Sequence, residues 1–91
     1  MIWPSGEADI VGGPPRLTRK QGQLVAYVYW YTKVHRIPPA ENEIATFLGI
    51  QGPSAHQMIL RLEASGCLSR IPAQPRTLKV LLPRPEIPDL E

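Results

Sequence analysis

Residues 43–66 read EIATFLGIQGPSAHQMILRLEASG, and this stretch decides the fold. Ile44, Ala45 and Leu48 recur at helical spacing, behind Glu41 and Glu43, whose negative charge suits the positive end of a helix dipole. They predict a helix over Ala40–Leu48, stopped by Gly49, a residue that takes the left-handed conformation at little cost. Gln51-Gly52-Pro53 then carries the chain into another helix, from Pro53 or Ser54 to Ser65. Proline suits a first helical position, because the N–H it lacks is one that a helix start leaves unpaired. Gly66 stops this helix as Gly49 stops the one before. Two helices joined by a tight, glycine-containing turn make a helix-turn-helix.

Working outward, Thr18 is a good N-cap, and Gln21 three residues later completes a capping box. The helix they open runs to about His35. Leu24, Tyr27, Val28 and Tyr31 share one side, while Tyr29, Trp30 and Lys33 point elsewhere; Pro38-Pro39 ends the segment. On the other flank, Leu68–Ile71 and Thr77–Leu82 read as short strands joined by the turn-rich Pro72–Arg76. Leu78 and Val80 fall on one face, and Thr77, Lys79 and Leu81 on the other. The fold expected is mainly α with a small β-hairpin, a three-helix winged helix-turn-helix over residues 17–82. Residues 1–16 read as an extended N-terminal arm, and residues 83–91, with Pro83, Pro85 and Pro88, as a Pro-rich acidic C-terminal tail.

Composition narrows the class. Ninety-one residues form one small domain, and 43% apolar with 20% charged residues is a globular mixture. A chain of this size argues against a cavity-bearing enzyme. There is no apolar run near the ~18 residues of a membrane span, and no basic-then-apolar leader. The single Cys67 excludes an internal disulfide and favours a reducing, cytoplasmic setting. The net charge of +2 conceals an asymmetry, because residues 1–15 and 85–91 carry no Lys or Arg. Between Arg16 and Arg84, ten basic residues face only Glu41, Glu43 and Glu63, an excess of seven that suits a polyanionic partner.

The helix after Pro53 presents two unlike arcs. Ala55, Ile59 and Leu62 cluster inward with Met58 at their edge. Ser54, Gln57, Leu60, Arg61 and Ala64 fill the opposite arc, with His56 on its flank. That outer arc offers a hydroxyl, an amide, an imidazole and a guanidinium instead of an ordinary Lys/Glu mixture. Gln pairs bidentately with adenine and Arg with guanine in the major groove, which the helix N-terminus enters. Ser54, His56, Gln57, Leu60 and Arg61 are therefore the candidate base readers on this arc. Gln51 at the helix start and Arg70, Gln74, Arg76 and Lys79 on the hairpin are candidates for the DNA backbone or minor groove.

Leu17-Thr18-x-x-Gln21, Ile37-Pro38-Pro39, Glu43-Ile44-Ala45-x-x-Leu48-Gly49, Pro53-Ser54-Ala55 and Leu62-Glu63-x-x-Gly66, followed by the hairpin, resemble the N-terminal DNA-binding domain of LexA-type repressors. The resemblance covers about Leu17 to Leu82. It implies a winged helix-turn-helix that reads duplex DNA through its third helix, with Ser54, Ala55, Gln57 and Met58 where that family contacts bases. LexA-type repressors continue into a self-cleaving domain that also dimerises them. The sequence stops short of one, so neither activity is expected to carry over. Met58 and Leu60 make the helix more apolar than the family pattern, and Tyr29 with Trp30 adds aromatic exposure.

His35, His56 and Cys67 match no metal-ligand spacing. Ser54 and Ser65 have no nucleophile context, and no glycine-rich phosphate loop is present. A non-enzymatic chain without metal, cofactor or small-molecule substrate is expected. Tyr29 and Trp30 are either covered by the arm, through Ile2, Trp3 or Ile10, or form a dimer or partner surface. A homodimer is expected, since one helix-turn-helix covers a half-site. Two functions follow. The first is a sequence-specific duplex-DNA binder acting as a transcriptional regulator. The alternative is a winged-helix protein-interaction module with little DNA affinity, using Tyr29, Trp30 and Leu60.

Overall fold

The computed structural model describes residues 17–91; the N-terminal arm expected over residues 1–16 lies outside them. α1 spans Arg19–His35. Its start is the reciprocal cap expected from sequence: the Gln21 N–H donates to Thr18 Oγ1 at 3.1 Å, and the Thr18 N–H donates to Gln21 Oε1 at 2.9 Å. Arg36 ends the helix in the left-handed region (φ 67°), its N–H returning to the Thr32 carbonyl.

α2 spans Glu41–Leu48, one residue shorter at its start than expected, because Ala40 is extended and serves as the cap. Glu43 Oε1 accepts the Ala40 N–H at 2.8 Å. Gly49 (φ 70°) closes α2, and the Ile50 N–H reaches back to the Ala45 carbonyl at 3.0 Å. α3 follows at once, over Gly52–Ala64. It starts before Pro53 because Gly52 has no Cβ to clash with the proline ring, so the usual bar on a helical residue ahead of proline is relaxed. It stops one residue before the expected Ser65. Gly66 (φ 84°) then turns the chain, and the Cys67 N–H donates to the Leu62 carbonyl at 2.9 Å.

The hairpin is present but shorter than expected. β1 (Leu68–Ser69) pairs antiparallel with β2 (Lys79–Val80), in the register Leu68↔Val80 and Ser69↔Lys79. Pro72 and Pro75 carry no N–H to continue the ladder, and Ala73 and Arg76 adopt positive φ. Thr77 takes over instead: its Oγ1 accepts the Ile71 N–H at 3.0 Å and lies 3.0 Å from the Gln74 carbonyl.

The core joins Leu24, Val25, Ala26 and Val28 of α1 to Ile44 of α2, Ile59 and Leu62 of α3, and Cys67, Leu68 and Leu78 of the hairpin. Ile87 belongs to it as well. The segment expected as a free tail over 83–91 is docked, so the folded unit extends past Leu82. After a 3-10 turn at Arg84–Glu86, the chain lies along the start of α1. The Gln23 side chain, itself buried, donates to the Asp89 carbonyl and accepts the Glu91 N–H, both at 2.8 Å. Pro88 abuts Gly22, where a Cβ would meet its ring at 3.1 Å. Gly22, Gln23, Leu24, Val25 and Ala26 are buried in succession, which an amphipathic period does not produce; α1 is enclosed there on every side.

Candidate nucleic-acid interface

α3 separates its two arcs as the wheel predicts. Ala55, Ile59 and Leu62 are buried, while Ser54, Gln57, Arg61 and Ala64 are exposed, with Leu60 and Met58 half-buried. Ser54, Gln57 and Arg61 line a shallow groove of about 410 Å³ with Ile50, Pro53 and Met58. Gln57 and Arg61 stand one helical turn apart, about 6 Å along the axis. Among the described residues neither side chain has an intramolecular hydrogen bond or carboxylate partner, so the amide and the guanidinium present their full donor sets to whatever enters. Ala55 is the exception among the expected base readers. At 0% exposure its methyl packs inward and cannot touch a base edge.

The flanks carry the charges that balance this face. On one side His56 Nδ1 lies 3.0 Å from Glu41 Oε1, joining α3 to the first turn of α2. Further along the same flank Arg70 Nε lies 3.2 Å from Glu63 Oε1. Arg70, expected as a hairpin cation facing outward, is thus only 19% exposed and turned onto α3. Arg76 is likewise drawn inward: its Nη1 lies 3.0 Å from Glu43 Oε1 and 3.3 Å from the Pro38 carbonyl. Tyr31 donates to Glu43 Oε2 at 3.2 Å. The Ala40 N–H foremost, then Arg76 and Tyr31, hold the Glu43 carboxyl below the usual carboxylate range. Glu41, Glu43 and Glu63 were read from sequence only as helix-start charges or as counter-charges, and nothing local in sequence names their partners.

Of the remaining candidates, Lys79 and Gln74 are exposed on the hairpin and Gln51 is exposed at the start of α3. Among the described residues Lys20, Lys33, Arg36, Arg61 and Lys79 have no carboxylate within 4.0 Å. Ile50 and Pro53, neither of them among the candidate DNA contacts read from sequence, border the Gln57 groove; the wheel places Pro53 between Gln57 and Leu60. Tyr29 and Trp30 are half-buried and meet edge to face at 5.0 Å. Arg84 of the docked C-terminal segment covers them, 5.4 Å from the Tyr29 ring and 5.0 Å from that of Trp30.

A family model described as LexA DNA binding domain matches residues 15–77. The chain belongs to the LexA DNA-binding domain family. Similar proteins include the LexA repressor of Exiguobacterium sibiricum, 31% identical over 72 residues, covering 78% of this chain and 35% of the relative. The LexA repressor of Shouchella clausii is 33% identical over 67 residues, covering 72% of this chain and 32% of the relative. The chain spans about a third of the length of these curated relatives.

The LexA match takes in all of α1, α2, α3 and β1 and ends at residue 77, ahead of β2 and of the docked segment. The Gln23 clamp and the Arg84 cover therefore depend on residues beyond the matched stretch. No helix of the described residues is long and apolar enough to cross a membrane. No group of three His, Cys, Asp or Glu side chains suited to a metal ion occurs among the described residues. Cys67 is buried, with its Sγ 3.3 Å from Ser65 Oγ.

Proposed function

We propose that this chain is a sequence-specific duplex-DNA binder and transcriptional repressor that works in the cytoplasm. It reads the major groove with the outer face of α3 and touches the backbone with the hairpin. The observation that carries this is the pair Gln57 and Arg61, one turn apart and unpartnered in a shared groove, on the third helix of a LexA-family domain. Ser54, His56 and Leu60 extend the reading face, and Gln51, Gln74 and Lys79 are the backbone contacts. Arg70 and Arg76 serve the fold, because their heads face Glu63 and Glu43. The domain carries no catalytic role in this proposal.

Each copy covers one half-site, so two copies are proposed to act together on a symmetric site. Val34 at 71% exposure and Ile37 at 48%, where α1 ends, offer a more open apolar patch for that contact than the half-buried Tyr29 and Trp30. Selection of bound sequences from a random duplex pool tests the proposal, together with a salt titration. Enrichment of one motif and a fall in affinity with salt support it. No binding at low salt sinks it and leaves the protein-interaction reading.

A further inference from the structure

We infer that Glu41 makes His56 a base reader whose hydrogen-bonding sense reverses with pH. The inference rests on the proposed groove-reading role of α3 and adds a second residue, from α2, to that site. His56 lies in the N-terminal half of α3, next to Gln57, with Nδ1 3.0 Å from Glu41 Oε1. A carboxylate offers only lone pairs, so the hydrogen between these atoms belongs to the imidazole. With Nδ1 holding the proton, the neutral ring has a bare lone pair at Nε2. The two side chains keep 44% and 41% exposure, so the pair is reached by solvent.

The consequence is a defined polarity at the groove. Neutral His56 accepts through Nε2, and the major-groove donors are the amino groups of adenine and cytosine. When the ring is protonated, Nδ1 keeps its hydrogen toward Glu41 and Nε2 gains one. Nε2 then donates, and its partners become the major-groove acceptors: N7 and O6 of guanine, N7 of adenine and O4 of thymine. Without Glu41 both neutral tautomers are open and the polarity at high pH is undefined. Glu41 is a positioning residue, acting on the base only through the ring that it orients.

The surrounding charges leave Glu41 in control. On α3 the positions one turn either side of His56 are Gly52 and Leu60, neither of them charged. From α2 the other carboxylate, Glu43, is taken up by Ala40, Arg76 and Tyr31. From the hairpin, Arg70 faces α3, but it is bound to Glu63, two turns beyond His56.

The test combines ring-nitrogen NMR on the free protein with binding-site selection at pH 5.5 and pH 8, using the wild type, His56→Gln and Glu41→Ala. The NMR spectrum at pH 8 is expected to show the proton on Nδ1 in the wild type and a mixture of tautomers in Glu41→Ala. In the wild-type selections, one position should lose cytosine, whose major-groove edge only donates, and gain guanine, whose N7 and O6 only accept, on going from pH 8 to pH 5.5. The expected change in their ratio is about fivefold, the low end for a base contact. His56→Gln does not titrate, and its motif should be the same at both pH values. A wild-type proton on Nε2 overturns the inference. So does a uniform gain in affinity at pH 5.5 with an unchanged motif, which is what an added positive charge near phosphate does by itself. In that last case groove reading survives and only the switch falls. If the wild type binds no duplex at either pH, the functional proposal falls and takes the switch with it.

Discussion

The Arg76 guanidinium on the hairpin loop lies 3.0 Å from the Glu43 carboxylate on the first turn of α2. That carboxylate also takes the Ala40 N–H and the Tyr31 hydroxyl. One side chain thereby ties α1, the α1–α2 connection, α2 and the hairpin together. The most basic-looking loop of the sequence is in part an internal strut.

Glu43 gives the fold an acid limit. Its carboxyl is held below the ordinary range by the Ala40 N–H, Arg76 and Tyr31. The native state therefore binds this proton less readily than the unfolded chain, where a glutamate titrates at about 4.3. The stability it contributes is complete above that value and is lost as pH falls through the lower native one. Melting temperatures followed by circular dichroism between about pH 5 and 3 should fall more steeply for the wild type than for Glu43→Gln. Parallel slopes would remove Glu43 from the account.

Gln57, Lys79 and Arg76 should fail in three different ways. Gln57→Ala is expected to relax preference at one or two base pairs, since a bidentate base contact is worth about 1–3 kcal/mol of discrimination. Lys79→Ala should weaken all sequences alike and reduce the salt slope by about one. Arg76→Ala should lower the melting temperature and leave the salt slope unchanged, because its guanidinium is already engaged by Glu43 and Pro38. A reduced salt slope in Arg76→Ala would show that the strut opens to reach phosphate.

Ile87 tests the docked C-terminal segment. It is 5% exposed within the core, and burial of this kind makes Ile→Ala cost about 2–5 kcal/mol. Urea unfolding of Ile87→Ala should show a loss in that range. A loss below about 0.5 kcal/mol, typical of surface sites, would mean that residues 83–91 are dispensable to the fold.

Gly22 tests the same contact from the other side. Alanine is favoured over glycine inside a helix by about 1 kcal/mol. Here its Cβ would stand 3.1 Å from the Pro88 ring, so the gain is opposed. Gly22→Ala alone should therefore stabilise less than the same change made in a Pro88→Ala background, as read by paired denaturation curves. Equal effects in both backgrounds would show that Pro88 gives way freely.

Local chemistry was readable in the sequence, and distant pairing was not. Thr18 with Gln21, Gly49 and Gly66 announced the helix ends because each acts within a few residues. The wheel separated Ile59 and Leu62 from Gln57 and Arg61 because helical geometry alone fixes that division. Arg70 and Arg76 misled, since exposed-looking arginines in a turn carry no local sign of a glutamate on another element. Ala55 entered the reading set through position in a family motif, whereas its place on the wheel already turned it inward. Residues 83–91 looked like a tail because three prolines interrupt any period. What holds them is Gln23, a polar residue whose burial no hydrophobic pattern foretells. The proposed DNA roles depend on a partner molecule, and side-chain geometry can only make those residues available for it.

The Gln23 clamp has a consequence for how this domain is made. Its contacts with Asp89 and Glu91 close across 66 and 68 residues, and the Arg19–Glu91 contact closes across 72. A ribosome delivers the chain from its N-terminus at about 5–20 residues per second. The start of α1 therefore emerges seconds before the segment that will roof it. During that interval the uncovered surface displays an amide, which water solvates well. A leucine at position 23 could satisfy the finished core, but it would leave each nascent chain with an adhesive helix until residues 89–91 had emerged.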